Sequence, residues 1–329
     1  MKRGFLLWVL FVLPFLSLFI FSSSSQARTW LVRQDGSGDC TTIQACIDLA
    51  TAPDTILVSP GTYSERIRVG QRGSGICILS ESGPSQTTID GGGYGEVVMF
   101  DSAGVGTVLR GFTVRNGELS MLWGTGAGIS CSRASVLIEE NVIRDNRCYY
   151  DGSTPGIFSQ YGTCTIRRNL VTGNSHECAW VTTGIILLFS DASTVEENTI
   201  AYNSITDCAG IPYGGAVYAQ NSSATIAKNI IAFNQCRGVY CWHQPPYPTL
   251  TCNDLWANTP ADYYDCDPGS SDISQDPRFC APSAGDFSLN CTSPCLNSPG
   301  CGQMGAFGAG CGPTAVQEST WGRIKTLFR

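Results

Sequence analysis

Hydrophobic and polar positions in the middle of the chain follow one nine-residue pattern that occurs five times. The copies are 138–146 (IEENVIRDN), 166–174 (IRRNLVTGN), 195–203 (VEENTIAYN), 226–234 (IAKNIIAFN) and a degraded 250–258 (LTCNDLWAN). Their first asparagines, Asn141, Asn169, Asn198, Asn229 and Asn253, are 28, 29, 31 and 24 residues apart. A period of this length marks a solenoid, in which each repeat buries its apolar face against its neighbours. In every copy one aliphatic residue lies three before the first Asn and another two after it. Two short strands joined by a bend therefore each send a side chain inward. The bend amide carries both a donor and an acceptor and can bond its equivalents one coil above and below. Asn146, Asn174, Asn203, Asn234 and Asn258 follow five residues later and are read as a second structural column.

On either side of the repeats the pattern changes. Segment 41–50 (TTIQACIDLA) has helix-forming residues and an apolar face, with Thr41 or Thr42 as its cap. A helix there would cover the open end of the first coil. Segments 55–58, 76–79, 87–89 and 97–100 read as early strands, 60–63 as a turn, and 111–116 as the first stretch in repeat register. The pattern I-x-x-N-x-I-x-x-x-N, with Gly-Gly or Gly-Ile opening each coil, resembles the right-handed parallel β-helix repeat of pectate-lyase-like bacterial secreted and surface proteins. Segments 32–63 and 276–311 resemble the opening and closing segments of such proteins. The resemblance implies an all-β fold: a single right-handed parallel β-helix of eight to ten coils, with a short N-terminal helix cap and a Cys-rich C-terminal cap. The expected organisation is signal peptide 1–27, β-helix 28–279, cap 280–311 and tail 312–329.

Composition narrows the setting. Lys2 and Arg3, the apolar run 5–21 and the small-residue site 25–27 read as an export signal, with an uncleaved anchor as the alternative. Its removal leaves 18 cationic against 27 acidic residues, a formal charge of −9. A surface so acidic excludes nucleic acid as a partner. It also makes a polyuronate an awkward ligand unless a cation such as calcium bridges the two; no other cofactor and no metal site is expected. All 17 cysteines lie in the exported part, which indicates disulfides. Zinc is the competing reading, but there is no CxxC pair and only His176 and His243 could supply imidazole. Cys148, Cys178, Cys208 and Cys236 each follow a second Asn closely and should form a column. Bridges 148–178 and 208–236 are possible, and 178–208 is equally so.

Candidate chemistry falls in two places. The residues before the first Asn read Glu139-Glu140, Arg167-Arg168, Glu196-Glu197 and Ala227-Lys228 in successive coils. With coils ~4.8 Å apart, this is a solvated charge ladder that fixes register rather than a carboxylate pair. The variable stretches after the second Asn should all leave one edge of the solenoid, where repeat proteins bind. They carry Trp123, Tyr149, Tyr150, Trp180, Tyr213, Tyr240, Trp242 and Tyr247, suited to the apolar faces of sugar rings, although aromatics that merely pack loops are equally consistent. Asp151, Glu177 and Asp207, with His176 as base, are the only group that could act as catalytic residues. Of the motifs carried by polygalacturonases only Arg323-Ile324-Lys325 occurs, outside the solenoid, and the dense acidic cluster of pectate lyases is missing. The expectation is a monomeric, secreted or cell-surface protein that binds a polysaccharide or cell-surface glycan without catalysis, or serves as a scaffold. It has no membrane association after signal removal. The alternative is a polysaccharide lyase or glycoside hydrolase working at the loop edge.

Overall fold

A computed structural model of the chain describes residues 26–120, 124–149, 152–177, 182–206, 214–242 and 245–312. The chain winds into a parallel β-solenoid. Sheet A has nine strands, from Thr29–Val32 to Thr249–Thr251; sheet B has eight, from Gly61–Tyr63 to Asp254–Trp256; sheet C has eight, from Ile67–Val69 to Tyr263–Tyr264. A fourth, narrow sheet D holds Glu118–Leu119, Arg147–Cys148, Ser175–Glu177 and Ser204–Thr206. One coil runs A (Val136–Glu139), B (Val142–Arg144), D (Arg147–Cys148), a loop, then C (Ile157–Gln160). The expected turn at 60–63 is instead the first strand of sheet B, because Gly61–Tyr63 has a partner in Thr87–Ile89.

The asparagines form two columns of buried amides. In the first, each Nδ2 donates to the next Oδ1: Asn141 to Asn169 at 3.1 Å, Asn169 to Asn198, Asn198 to Asn229 and Asn229 to Asn253 each at 3.0 Å. The second runs Asn146, Asn174, Asn203, Asn234, Asn258 at 2.8–3.0 Å. Each Nδ2 also donates to a carbonyl of the preceding coil, as Asn198 does to Ile166 at 2.8 Å, and each Oδ1 also accepts a backbone N–H. Both amide functions are thus fully used in a setting where an unmet group would be costly.

The ladders hold backbone that would otherwise be unfavourable. The residue before each first Asn (Glu140, Arg168, Glu197, Lys228, Cys252) has φ of 52–57°, and the residue before each second Asn is also left-handed, at 54–64°. Only Gly173 among these ten is a glycine. Each of the others costs about 1–2 kcal/mol, which the amide columns offset. A second constraint lies at the start of sheet C. Gly156 stacks so closely on Gly184 that a Cβ would lie 2.0 Å from the Gly184 carbonyl oxygen. This explains the glycine that opens those coils.

Inward residues form one continuous core: Ile138, Ile166, Val195 and Ile226 on sheet A, Ile143, Val171, Ile200 and Ile231 on sheet B, and Ile157, Ile185, Val217 and Val239 on sheet C, all fully buried. At the N-terminal end the helix Ile43–Leu49 closes the core, with Thr42 Oγ1 accepting from Ala45 N and Cys40 bridged to Cys46. The charge ladder is present in register, Glu139 beside Arg110 and Arg167. It is less solvated than expected: Glu139 is buried and bonded to Arg110, Arg167 and Arg168, which hold its carboxyl below the usual range despite its burial.

The C-terminal segment does more than close the far end; it folds back along the outer face of sheet B. There Leu170, Ala201 and Phe287 form one cluster, and Ile230, Ala232, Leu289, Cys295 and Met304 another. Burying each large side chain contributes roughly 1.5–3 kcal/mol, so this cap has a core of its own. Cys252–Cys301 ties it to the last repeat and Cys280–Cys311 closes it internally. Beneath it, fully buried Asp254 accepts from Cys295 Sγ at 2.9 Å and Gln275 N at 3.0 Å. Desolvation pushes its carboxyl up to about 6 from an ordinary 3.8.

Two measurements follow from this packing. Asn198→Ala strips four hydrogen bonds from the buried column and should cost roughly 3 kcal/mol or more in urea unfolding; a loss under about 1 kcal/mol would contradict the role given to the ladder. Asp254 holds its proton more tightly when folded, so its contribution is complete below about pH 4 and is lost as pH rises through about 6. Stability should fall by about 2–3 kcal/mol across that window, and Asp254→Asn should flatten the profile there.

Candidate functional site

The outward side of sheet C carries an aligned column set by strand register: Met99, Ser130, Phe158, Ile186, Tyr218, Tyr240 and Tyr264, one per coil. These residues alternate with inward Ile157, Ile185, Val217 and Val239, because successive side chains of a strand point to opposite faces. The parallel column two residues on reads Ser132, Gln160, Leu188 and Gln220, with Trp242 following in the next coil.

The middle of this face is covered. Phe158 and Ile186 are buried although they point outward, and segment 124–126 lies over Phe158: a Cβ on Gly126 would approach its Cβ to 2.9 Å. Toward the last coils the face opens. Tyr218 and Tyr240 have centroids 5.0 Å apart, Tyr240 and Tyr264 5.2 Å, and Trp242 stands 6.3 Å from Tyr240 and 6.5 Å from Tyr218. Tyr264 is 37% exposed and Tyr218 and Trp242 are half-buried, while Tyr240 between them is buried. The buried Arg237 places its guanidinium 3.8 Å from the Tyr264 ring and 5.8 Å from Tyr240, fixing both by cation–π contact. Burial raises the Tyr218 and Tyr240 hydroxyls above their ordinary range, with Tyr240 further raising Tyr218, and Asp265 and Tyr264 raising Tyr240. Both therefore stay protonated as donors, and Tyr218 Oη lies 3.0 Å from Gln220 Oε1. This cluster offers apolar rings with fixed polar rims, a surface for stacking and hydrogen bonding.

The residues expected at the loop edge are distributed differently. Asp151, Asp207, Trp123, Tyr150, Trp180 and Tyr213, with Cys178, Cys208 and His243, lie outside the described residues. Glu177 is ion-paired with Arg147, which covers Tyr149 at 4.9 Å. His176 is fully buried in sheet D, in register with Cys148 and Ile205, beneath the surface and away from any exposed substrate position. The stretches expected to be loops from Arg147, Ser175 and Ser204 begin as strands of sheet D, which is why their second residues Cys148 and His176 are buried while Arg147 is exposed. Cys148 and Cys236 are buried thiols. Of the expected aromatics, Tyr240 and Trp242 stand on the sheet C face, while Tyr247 is 48% exposed along a groove of about 570 Å³ that Asp265 and Asp267 also line. Sequence reasoning missed Tyr218 and Tyr264. The signal was available: each lies at the second position of a Val-Tyr or Tyr-Tyr pair, one step past an inward residue. Among the described residues no group of His, Cys, Asp and Glu is arranged to hold a metal ion, and no helix is long and apolar enough to cross a membrane.

A parallel solenoid with an aromatic outer face is the class that fold and site define. Residues 56–200 match the family model described as a right handed beta helix region, so this part of the chain is a right-handed β-helix. Among solved structures, a pectin methylesterase in complex with a hexasaccharide is similar over 78% of this chain and 94% of its own, at 11% identity and a TM-score of 0.36. Pectin methylesterase from carrot matches over 75% and 85%, at 13% identity and 0.33. Pectin methylesterase from Aspergillus niger matches over 77% and 91%, at 13% identity and 0.32. Likenesses this remote carry no argument about activity. No curated protein matches the chain in sequence.

Proposed function

We propose that the chain is a secreted or cell-surface carbohydrate-binding protein whose binding face is the C-terminal half of sheet C, acting without catalysis. The observation that carries this reading is the run Tyr218, Tyr240 and Tyr264 at one-coil intervals on a rigid sheet, with Trp242 beside Tyr240 on the same coil. Sugar rings present an apolar CH face and a polar rim, which the accessible rings of Tyr218, Trp242 and Tyr264 and their polar groups complement, with buried Tyr240 supporting them. Successive coils repeat the platform, which suits a polymer better than a single sugar. The three disulfides among the described residues accord with an exported chain.

Charge selects among polymers. The acidic balance of the chain disfavours a polyuronate unless calcium bridges the anions, so a neutral glycan is the better ligand. Two exposed carboxylates, Asp265 and Asp267, line the groove beside Tyr247 next to the aromatic run, and the alternative lyase or hydrolase reading would have to work there.

Titration of soluble neutral glycans, and of polygalacturonate with and without calcium, tests this while product release is followed. Tight binding of a neutral glycan is expected, weakened about tenfold by Tyr264→Ala or Trp242→Ala, or roughly 1–2 kcal/mol. No reducing ends or unsaturated products should form. Failure to bind any glycan, or turnover of one, would overturn the proposal.

A further inference from the structure

Beyond the three disulfides among the described residues, two more pairs of cysteines lie across coil boundaries. Cys131 lies on the inward side of sheet C, in register with Ser159 of the next coil. Cys164 follows that strand by four residues at the corner leading into sheet A, and its Sγ approaches the Ala134 carbonyl of Cys131's own coil at 3.6 Å. Both thiols are buried in the core, and each shifts the titration of the other. Ser193 Oγ accepts from Cys164 N at 3.0 Å and holds the corner in place. The second pair stands at the end of the same sheet. Cys241 is buried one residue after Tyr240, whose register partner is Tyr264; Cys266 follows Tyr264 by two and turns its Sγ back toward the Val239 and Tyr264 carbonyls. These two thiols likewise shift each other's titration.

We propose that Cys131–Cys164 and Cys241–Cys266 are disulfides of the oxidised protein, each stapling adjacent coils of the solenoid. In each pair one sulfur already turns to a carbonyl of its partner's coil, Cys164 to Ala134 and Cys266 to Val239, so approach of the two sulfurs across that boundary gives bonding geometry. The other buried thiols differ. Cys148 has His176 as its register partner, Cys236 contacts Thr183 Oγ1 at 3.1 Å, and Cys295 donates to Asp254. The oxidant is a small-molecule or protein disulfide acting while the coils close. One thiolate attacks it, breaking its S–S bond, forming a mixed disulfide and releasing one thiol. The second cysteine, giving up its proton, displaces the other thiol and completes the bridge. Two cysteine thiols are oxidised and one disulfide is reduced to two thiols.

The placement gives the bridges separate effects. Cys131–Cys164 would lock the centre of the core. Cys241–Cys266 would clamp the coils of Tyr240 and Tyr264, and with them the aromatic face; its formation does not depend on that face binding sugar.

The test is to fold the full chain in a mixture of reduced and oxidised glutathione, block remaining thiols with N-ethylmaleimide in denaturant, and map peptides by mass without reduction. Peptides linking Cys131 to Cys164 and Cys241 to Cys266 are expected, free of maleimide, each bridge lowering the mass by about 2 Da. In Cys131→Ser, Cys164 should gain a maleimide while the Cys40–Cys46 and Cys280–Cys311 peptides stay linked. Maleimide on both members of a pair, or a link to any other cysteine, in protein where those two bridges have formed, would overturn the assignment for that pair. Glycan titration of the same preparation separates this outcome from failure of the binding proposal.

Discussion

The structure depends on the direction in which the asparagine ladders run. Every ladder Asn offers its Oδ1 toward the N-terminal end and its Nδ2 toward the C-terminal end, so each column has an acceptor at one end and a donor at the other. At the N-terminal end the acceptors meet backbone amides: Phe112 N donates to Asn141 and Gly117 N to Asn146. At the other end an orphaned donor needs an acceptor, and another Asn would only pass the problem on. The chain supplies carboxylates. Asp272 Oδ1 accepts from both Asn253 N and Nδ2, and Asp262 Oδ1 does the same for Asn258. An ionised carboxylate accepts and never donates, so the columns stop there with no group left over.

Register is what this achieves for function. The amide columns hold left-handed corners in Glu197, Lys228, Tyr202 and Phe233, and thereby keep successive coils from slipping. A slip of one residue would exchange the inward and outward sides of every strand. Tyr218, Tyr240 and Tyr264 line up because Val217, Val239 and Tyr263 beside them are kept in register. The C-terminal cap works on the opposite flank, covering Leu170 and Ile230. Of the two apolar outer faces, one is covered by the cap and the other, on sheet C, is covered by loop 124–126 only as far as the aromatic run.

Much of this could be read from the sequence, because a repeat shows its own constraints several times over. The asparagine columns, the inward aliphatics and the pairing of Glu139 with Arg167 all follow from aligning the copies, and the Thr42-capped helix from its own cap and apolar face. What sits outside the period could not be read so. Asp272 and Asp262 lie 19 and four residues beyond the asparagines they terminate, in segments with no repeat to compare. The fold-back of the cap had one trace, the paired apolar residues Leu170-Val171 and Ile230-Ile231, where a strand facing solvent on one side would have alternated. At the site, the register that puts His176 inside depends on sheet D, whose two- and three-residue strands carry too little pattern to distinguish them from loops.

The most direct measurement is residue-resolved hydrogen exchange of the ladder amides under native conditions. If the columns hold the coils in register, the backbone N–H groups of Asn169, Asn198 and Asn203 should exchange only through global unfolding. Their apparent free energies of opening would then equal the stability from urea unfolding. Exchange of these amides through local opening, while the N–H groups of inward residues such as Val171 and Ile200 stay protected, would show that core packing alone holds the register.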